Sequence, residues 1–317
     1  MILSIFLLIL GFILLIKGAD VFVDGASSTA QNFKISKMLI GLTIIAFGTS
    51  APEFAISMSA LASGSTDMVL GNVIGSNIMN ALLILGVAAT ITTISIKEKT
   101  VKKELPLTLL ISTLLVVLFL DISLGNGSTN QITRADGIVI LLFFTIFVYY
   151  LVTLTKHKKE KNEEEIPQFT LGKSLILVVI GILGIILGSN LVVDSATKIA
   201  TFIGVSERIV ALTIVAFGTS LPELVTTIIA ARKGETDLVV GNIIGSNIFN
   251  ICVVLGIPVA IFGGITPGSF QMIDLIMLVG SSFLLFVFSE TSKKITRKEG
   301  IFMLAAFALY YLLVFVI

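Results

Sequence analysis

Apolar residues run almost without interruption along this chain, in stretches separated by short polar intervals. A helix needs about 20 mostly apolar residues to cross the hydrocarbon core of a bilayer. Ten stretches are suited to this, near 2–29, 38–62, 69–94, 105–122, 136–155, 170–193, 208–231, 239–263, 271–289 and 300–317. They are continuous rather than alternating, which predicts helices and not a β-barrel. The expected fold is therefore an all-α integral membrane protein with ten transmembrane helices. The opening stretch has no basic residues before its apolar core and no small-residue cleavage pattern after it, so it is expected as a first span and not a removed signal.

Two of these stretches have polar residues at their centres: AFGTSAPEFAIS at 46–57 and AFGTSLPELVTT at 216–227. Pro52 lacks an N–H, so the carbonyl of Gly48 loses its helical donor and the preceding turn opens. Ala51, before the proline, is biased away from helical angles. Carbonyls near Gly48 and Thr49 are thus freed at mid-membrane, where they must face protein or an aqueous cavity. The same follows at Gly218, Thr219 and Pro222. Ser50, Glu53 and Ser57 are spaced to share one helix face, as are Ser220, Glu223 and Thr227.

The recurrence is systematic. Residues 43–86 slide onto 213–256 without a gap, with 24 identities in 44 positions. Each half holds five spans, an odd number, so the second copy starts from the opposite side of the membrane. This predicts two inverted-topology five-helix repeats, 1–155 and 170–317, joined by a short cytoplasmic linker at 156–169. A second repeated stretch, GNVIGSNIMN at 71–80 and GNIIGSNIFN at 241–250, sets Asn72, Ser76 and Asn80 at steps of four, with Asn242, Ser246 and Asn250 as counterparts. Gly71 and Gly75, like Gly241 and Gly245, form G-x-x-x-G steps expected to serve close helix packing.

Composition agrees with a lipid environment: 56% of residues are hydrophobic and 13% charged, against about a quarter charged in soluble domains. The net charge of +1 points to no nucleic-acid partner. With the N-terminus outside, the inner loops carry sixteen Lys and Arg and the outer loops only Arg134, Lys198 and Arg208. Both termini are therefore expected outside the cell membrane. Asp67 and Asp237 are expected as helix caps, and Asp20, Asp24 and Asp194 as solvated residues near the outer ends of spans one and six. Cys252 is expected as a small buried hydrophobe, and His157 as a solvated loop residue rather than a metal ligand.

The repeated polar residues are all hard oxygen donors, with no thiol or imidazole, which argues against zinc, copper or iron. Two carboxylates with many neutral oxygens suit Ca²⁺; Mg²⁺ wants a tighter octahedron, and Na⁺ fits carbonyl and hydroxyl sites. An intramembrane carboxylate costs at least about 2.5 kcal/mol on insertion scales. A divalent cation between two of them, or two monovalent ions, relieves that cost, so exchange is the natural chemistry. Against this stand blander roles. A glutamate in a span can be structural, although two in the same GTSxPE setting weaken that reading. The Ser and Asn stripe can be helix glue, as can Asn77 and Asn247, which point off the stripe. A channel would not need a closed central site. An enzyme using Ser50 or Ser220 as nucleophile would lack a base, and no ATP-binding loop is present, so transport would be secondary.

The paired motifs GTSAPE…GNVIGSNIMN and GTSLPE…GNIIGSNIFN resemble the two alpha-repeats of the calcium/cation antiporter superfamily, most of all its prokaryotic sodium/calcium exchangers. That resemblance implies a Na⁺-driven Ca²⁺ antiporter working by alternating access, with no cofactor, embedded in the bilayer as a monomer. It implies Ca²⁺ binding by Glu53 and Glu223 with the carbonyls of Thr49 and Thr219. It implies Na⁺ sites made of Ala46, Ser50, Glu53, Ser76, Ala216, Thr219, Ser220, Glu223 and Ser246, with Asn80 and Asn250 as central polar residues. It also implies that spans one and six are loosely packed and slide across the core. The potassium-dependent branch has aspartate in place of Asn250, as do some archaeal exchangers, and with Asn250 this chain resembles the potassium-independent exchangers. The proton-coupled branch shares the glutamates, so an H⁺-coupled Ca²⁺ or other divalent exchanger stands as the alternative.

Overall fold

A computed structural model describes residues 2–124, 129–156, 167–204, 216–266 and 272–316. His157, most of the 156–169 linker and Arg208 lie outside the described residues. The chain forms two compact units, Met1–Pro52 with Lys159–Asn242 and Glu53–Lys158 with Ile243–Ile317. Each draws on both sequence halves.

Among the described residues six helices are long and apolar enough to cross a membrane. A seventh span arises if Lys37–Thr49 and Ala51–Ala62, bent by 46° at their junction, count as one. Three predicted spans are not among these seven. Helix Glu104–Leu118 has 15 residues, about 22 Å at the α-helical rise. The predicted span at 208–231 is described only from Ala216, and Arg297–Val316 opens on charged residues.

In the first unit, α1 (Ile2–Asn32) packs on α10 (Leu171–Phe202). Between them in sequence come α2 (Lys37–Ile40), α3 (Ala46–Thr49), α4 (Ala51–Ala62), α5 (Thr66–Ile78), α6 (Leu85–Ile91), α7 (Glu98–Lys102), α8 (Glu104–Leu118) and α9 (Arg134–Lys156). The contact between α1 and α10 runs backbone to backbone. A Cβ on Gly18 would lie 2.8 Å from the Gly184 carbonyl carbon, one on Gly181 2.6 Å from Phe22 Cα, and one on Gly188 2.5 Å from Leu15 N. Loose packing is therefore not what joins these two helices to each other; the glycines let them touch. At the far end of α1, Ser28 and Asn32 bond the carbonyl of Phe169 at 3.1 and 2.8 Å, and Ser174 donates to Ser28 Oγ at 3.0 Å.

Asp20 and Asp24 are ion-paired rather than simply solvated. Both pair with Lys233 at 2.7 Å, and Lys37 pairs with Glu235 at 3.0 Å, so these acids share the end of the basic turns that the charge pattern assigns to the inner side. Burial disfavours charge on Lys233, but its bonds to Asp20 and Asp24 outweigh this and raise its pKa above the ordinary lysine value. Nothing local in the sequence signals this pairing, because Lys233 lies 209 residues along the chain from Asp24.

The remaining helices are α11 (Ala216–Gly218), α12 (Leu221–Arg232), α13 (Thr236–Phe249), α14 (Gly256–Phe262), α15 (Met272–Ser292) and α16 (Arg297–Val316). In the second unit α6 packs on α16, α9 on α14 and α8 on α15. Strands β1 (Ile94–Ser95) and β2 (Lys294–Ile295) pair antiparallel, Ile94 opposite Ile295. Ser112 and Ser282 bond at 3.0 Å. Glu104, only 2% exposed, accepts from the Tyr150 hydroxyl, and Asp274 accepts from Tyr310 at 2.7 Å. Cys252 is a free, fully buried thiol.

Candidate functional site

The two GTSxPE segments break at equivalent residues. Ser50 has φ −84° and ψ 8°, and Ser220 has φ −89° and ψ 5°. Both lie in the sparsely populated bridge region, where many active-site residues sit. The proline two positions on explains this: helix α3 or α11 cannot continue, and α4 or α12 restarts with the proline in its first turn, where no N–H is needed. At the second break the carbonyl orphaned by Pro222 is taken up. Ser189 of α10 donates to Gly218 O at 3.0 Å. The first copy has no counterpart, because the position matching Ser189 is Ala19.

In the first unit the break places a buried polar cluster. Ser50, 0% exposed, donates to Glu223 Oε1 at 2.9 Å, and Glu223 is 1% exposed. Thr49 donates back to Ile45 O at 3.0 Å and reaches Asn242 Oδ1 at 3.3 Å, while Asn242 Nδ2 donates to Thr227 Oγ1 at 3.0 Å. The carbonyl of Ala46 accepts the Ser50 N–H at 3.0 Å and also lies 3.4 Å from the Thr49 hydroxyl. Ser50 stands at the break itself, and its hydroxyl serves Glu223.

In the second unit Glu53 is also 1% exposed, and its carbonyl accepts Asn72 Nδ2 at 3.0 Å. The same amide donates to Ser57 Oγ at 2.9 Å, matching the Asn242–Thr227 bond of the other copy. Asn72 and Asn242 thus join neighbouring helices by hydrogen bonds, the glue role of polar residues in membranes. Four asparagines then gather. Asn77 Nδ2 donates to the Asn247 carbonyl at 3.3 Å, Asn80 Nδ2 to Asn247 Oδ1 at 3.1 Å, and Asn250 Nδ2 to Asn77 Oδ1 at 3.3 Å. Asn80 and Asn250 lie in π-helical turns, Met79–Ile84 and Asn250–Leu255, a local geometry common at functional sites.

Ser76, Ser220 and Ser246 are buried, Thr219 is half-buried, and Ala216 begins α11. Asp67 and Asp237 lie in the first turns of α5 and α13, where a carboxylate complements the helix dipole. The glycine steps divide. A Cβ on Gly241 would lie 2.8 Å from Gly41 Cα, so that glycine packs as expected. Gly71 and Gly75 meet nothing within 4 Å, so close packing is not their role. Sequence reasoning missed Ser189, Glu104 and Tyr150: the first carries no repeat signal, and the last two meet across 46 residues.

Among the described residues no group of three or more His, Cys, Asp and Glu could hold a metal ion. Any cation here would take most of its ligands from hydroxyl, amide and carbonyl oxygens, a donor set for hard, weakly held ions.

A family model described as sodium/calcium exchanger protein matches residues 3–153 and 173–316. The putative antiporter CaxA of Alkalimonas amylolytica is 40% identical over 322 residues, with 98% of each chain covered. The sodium/calcium exchanger MaX1 of Methanosarcina acetivorans is 29% identical over 347 residues, again with 98% of each covered. A solved structure of the sodium-calcium exchanger NCX_Mj matches with a TM-score of 0.84 and 35% identity, covering 99% of this chain and 98% of that one.

Proposed function

Because the chain belongs to the sodium/calcium exchanger family, we propose that it is a secondary antiporter that exchanges Na⁺ for Ca²⁺ across the cell membrane by alternating access, without K⁺. The observation that carries this reading is the buried Glu223 carboxylate, bonded by the Ser50 hydroxyl at a broken helix, in a motif repeated around the equally buried Glu53. Carboxylates in such surroundings are stabilised by a cation and destabilised without one.

In this proposal Glu53 and Glu223 bind Ca²⁺ with the carbonyls of Thr49 and Thr219. Na⁺ uses the same glutamates with Ala46, Ser50, Ser76, Ala216, Thr219, Ser220 and Ser246. Since one carboxylate pair cannot hold both loads at once, Ca²⁺ leaves when Na⁺ fills the site, and this competition is the coupling. Ten spans in two inverted repeats, 1–155 and 170–317, with both termini outside and a monomeric protein, complete the proposal. It is supported by the sixteen-to-three bias of basic residues and by the matching breaks at Ser50 and Ser220. Asn250, rather than aspartate, supports independence from K⁺.

The test is ⁴⁵Ca²⁺ uptake into proteoliposomes loaded with Na⁺, compared with choline-loaded vesicles and with a pure pH gradient. Uptake that requires internal Na⁺ is expected. Glu53→Gln and Glu223→Gln are each expected to abolish it in protein that still elutes as a folded species. Uptake driven only by the pH gradient would transfer the chain to H⁺ coupling, and retained exchange in both variants would remove the glutamates from the mechanism.

A further inference from the structure

The geometry points to Asn77 and Asn247 as positioning residues that turn the Oδ1 oxygens of Asn80 and Asn250 toward the transported cation. This rests on the exchanger reading above and concerns residues outside the proposed ligand set.

An asparagine side chain offers two N–H donors on one side and a carbonyl oxygen on the other, and rotation by half a turn swaps them. Only the oxygen can meet a cation. Asn80 and Asn250 are both 0% exposed. Each spends its Nδ2 on the oxygen of an off-stripe asparagine from the other copy: Asn80 on Asn247 Oδ1 at 3.1 Å, and Asn250 on Asn77 Oδ1 at 3.3 Å. The pairs are crossed, so neither amide can turn over without bringing two carbonyl oxygens together. Asn77 is itself fixed, because its Nδ2 is held by the Asn247 backbone carbonyl at 3.3 Å. The consequence is that Oδ1 of Asn80 and Oδ1 of Asn250 are buried and without a hydrogen-bond partner among the described residues.

Helix glue accounts for the three bonds. It does not account for two buried amide oxygens left over at repeat-equivalent positions, since an unsatisfied buried acceptor costs about 1–3 kcal/mol. Two free oxygens, held in place by donors that point away, are what a hard cation requires. Asn80 and Asn250 both stand at the start of π-helical turns, Met79–Ile84 and Asn250–Leu255, a geometry frequent at functional sites.

The experiment is a double-mutant cycle read by equilibrium ⁴⁵Ca²⁺ binding to the purified full-length protein. Removing the acceptor in Asn77→Leu frees the Asn250 amide to turn its donors inward, and the half-saturating Ca²⁺ is expected to rise roughly tenfold. Asn250→Asp presents an oxygen whichever way it turns. In that background Asn77→Leu is expected to change half-saturation by less than about twofold, because there is no longer an amide to orient. Asn77→Ala removes the same acceptor without added bulk and serves where the leucine variant does not fold. An equal loss in both backgrounds would mean a merely structural role and overturn the inference, as would unchanged binding in Asn77→Leu or Asn77→Ala. Binding that follows the cycle in a protein showing no Na⁺-dependent uptake would keep the positioning role and overturn the exchange reading.

Discussion

The contact between α1 and α10 gives the sharpest quantitative expectation. A Cβ added at Gly188 would stand 2.5 Å from Leu15 N, 2.8 Å from Gly11 O and 2.8 Å from Leu15 Cα. Non-bonded heavy atoms rest at about 3.5–4.0 Å, so an alanine here demands roughly 1 Å of separation. The atoms in the way are backbone and cannot rotate aside. Overpacking of this kind costs about 1–3 kcal/mol. Against it, alanine is worth up to about 1 kcal/mol more than glycine inside a helix. Gly280, within α15, isolates that second term, because a Cβ there meets nothing within 4 Å. Thermal and denaturant unfolding of the detergent-solubilised protein should show Gly280→Ala neutral or stabilised. Gly188→Ala should lie lower than Gly280→Ala by roughly 1–3 kcal/mol. If the two variants unfold alike, the two helices do not touch backbone to backbone, and the reading of the glycines as a contact surface is wrong.

Three further expectations follow from single bonds. Ser189→Ala removes the donor to Gly218 O and should destabilise the protein by about 1–3 kcal/mol, while Ala19→Ser, at the matching position of the other copy, should give no comparable gain; both are read by unfolding. Tyr150→Phe withdraws the hydroxyl bonded to buried Glu104, whose Oε2 already lacks a partner among the described residues. It should cost about 1–3 kcal/mol, and pairing it with Glu104→Gln should recover part of the loss. Lys233→Met cuts the pairs to Asp20 and Asp24. Since the folded-state pKa of Lys233 is raised, its contribution is complete below the ordinary lysine pKa and lost as pH climbs through the higher folded value. The stability gap between wild type and variant should therefore be flat near neutrality and close only in strong alkali. A gap that closes between pH 6 and 8 would contradict the pairing.

What was legible beforehand is what the chain states locally. The helix breaks at Ser50 and Ser220 follow from a missing N–H two residues later, and burial of Glu53 and Glu223 follows from their place in apolar runs. The polar cluster was legible as a set of residues but not as a set of bonds. The Ser50 hydroxyl is committed to Glu223, 173 residues along the chain, a partner that helical spacing around Ser50 does not indicate. Gly71 and Gly241 occupy the same motif position, yet one faces open space and the other a glycine at backbone distance. No local rule distinguishes them.

The amino-acid sequence by itself determined the lipid environment, the helical class, the family, the two copies and the kind of oxygen donors on offer. All of these depend on composition, period and short-range covalent chemistry. The tertiary structure decided which of those donors are already spent: Gly218 O on Ser189, the Asn80 and Asn250 amides on Asn247 and Asn77, and Asp20 and Asp24 on Lys233. Each of these bonds joins residues far apart in the chain. A hydrogen-bonding group commits to the partner that folding brings within about 3 Å, and that partner is set by how helices cross, not by neighbours along the sequence.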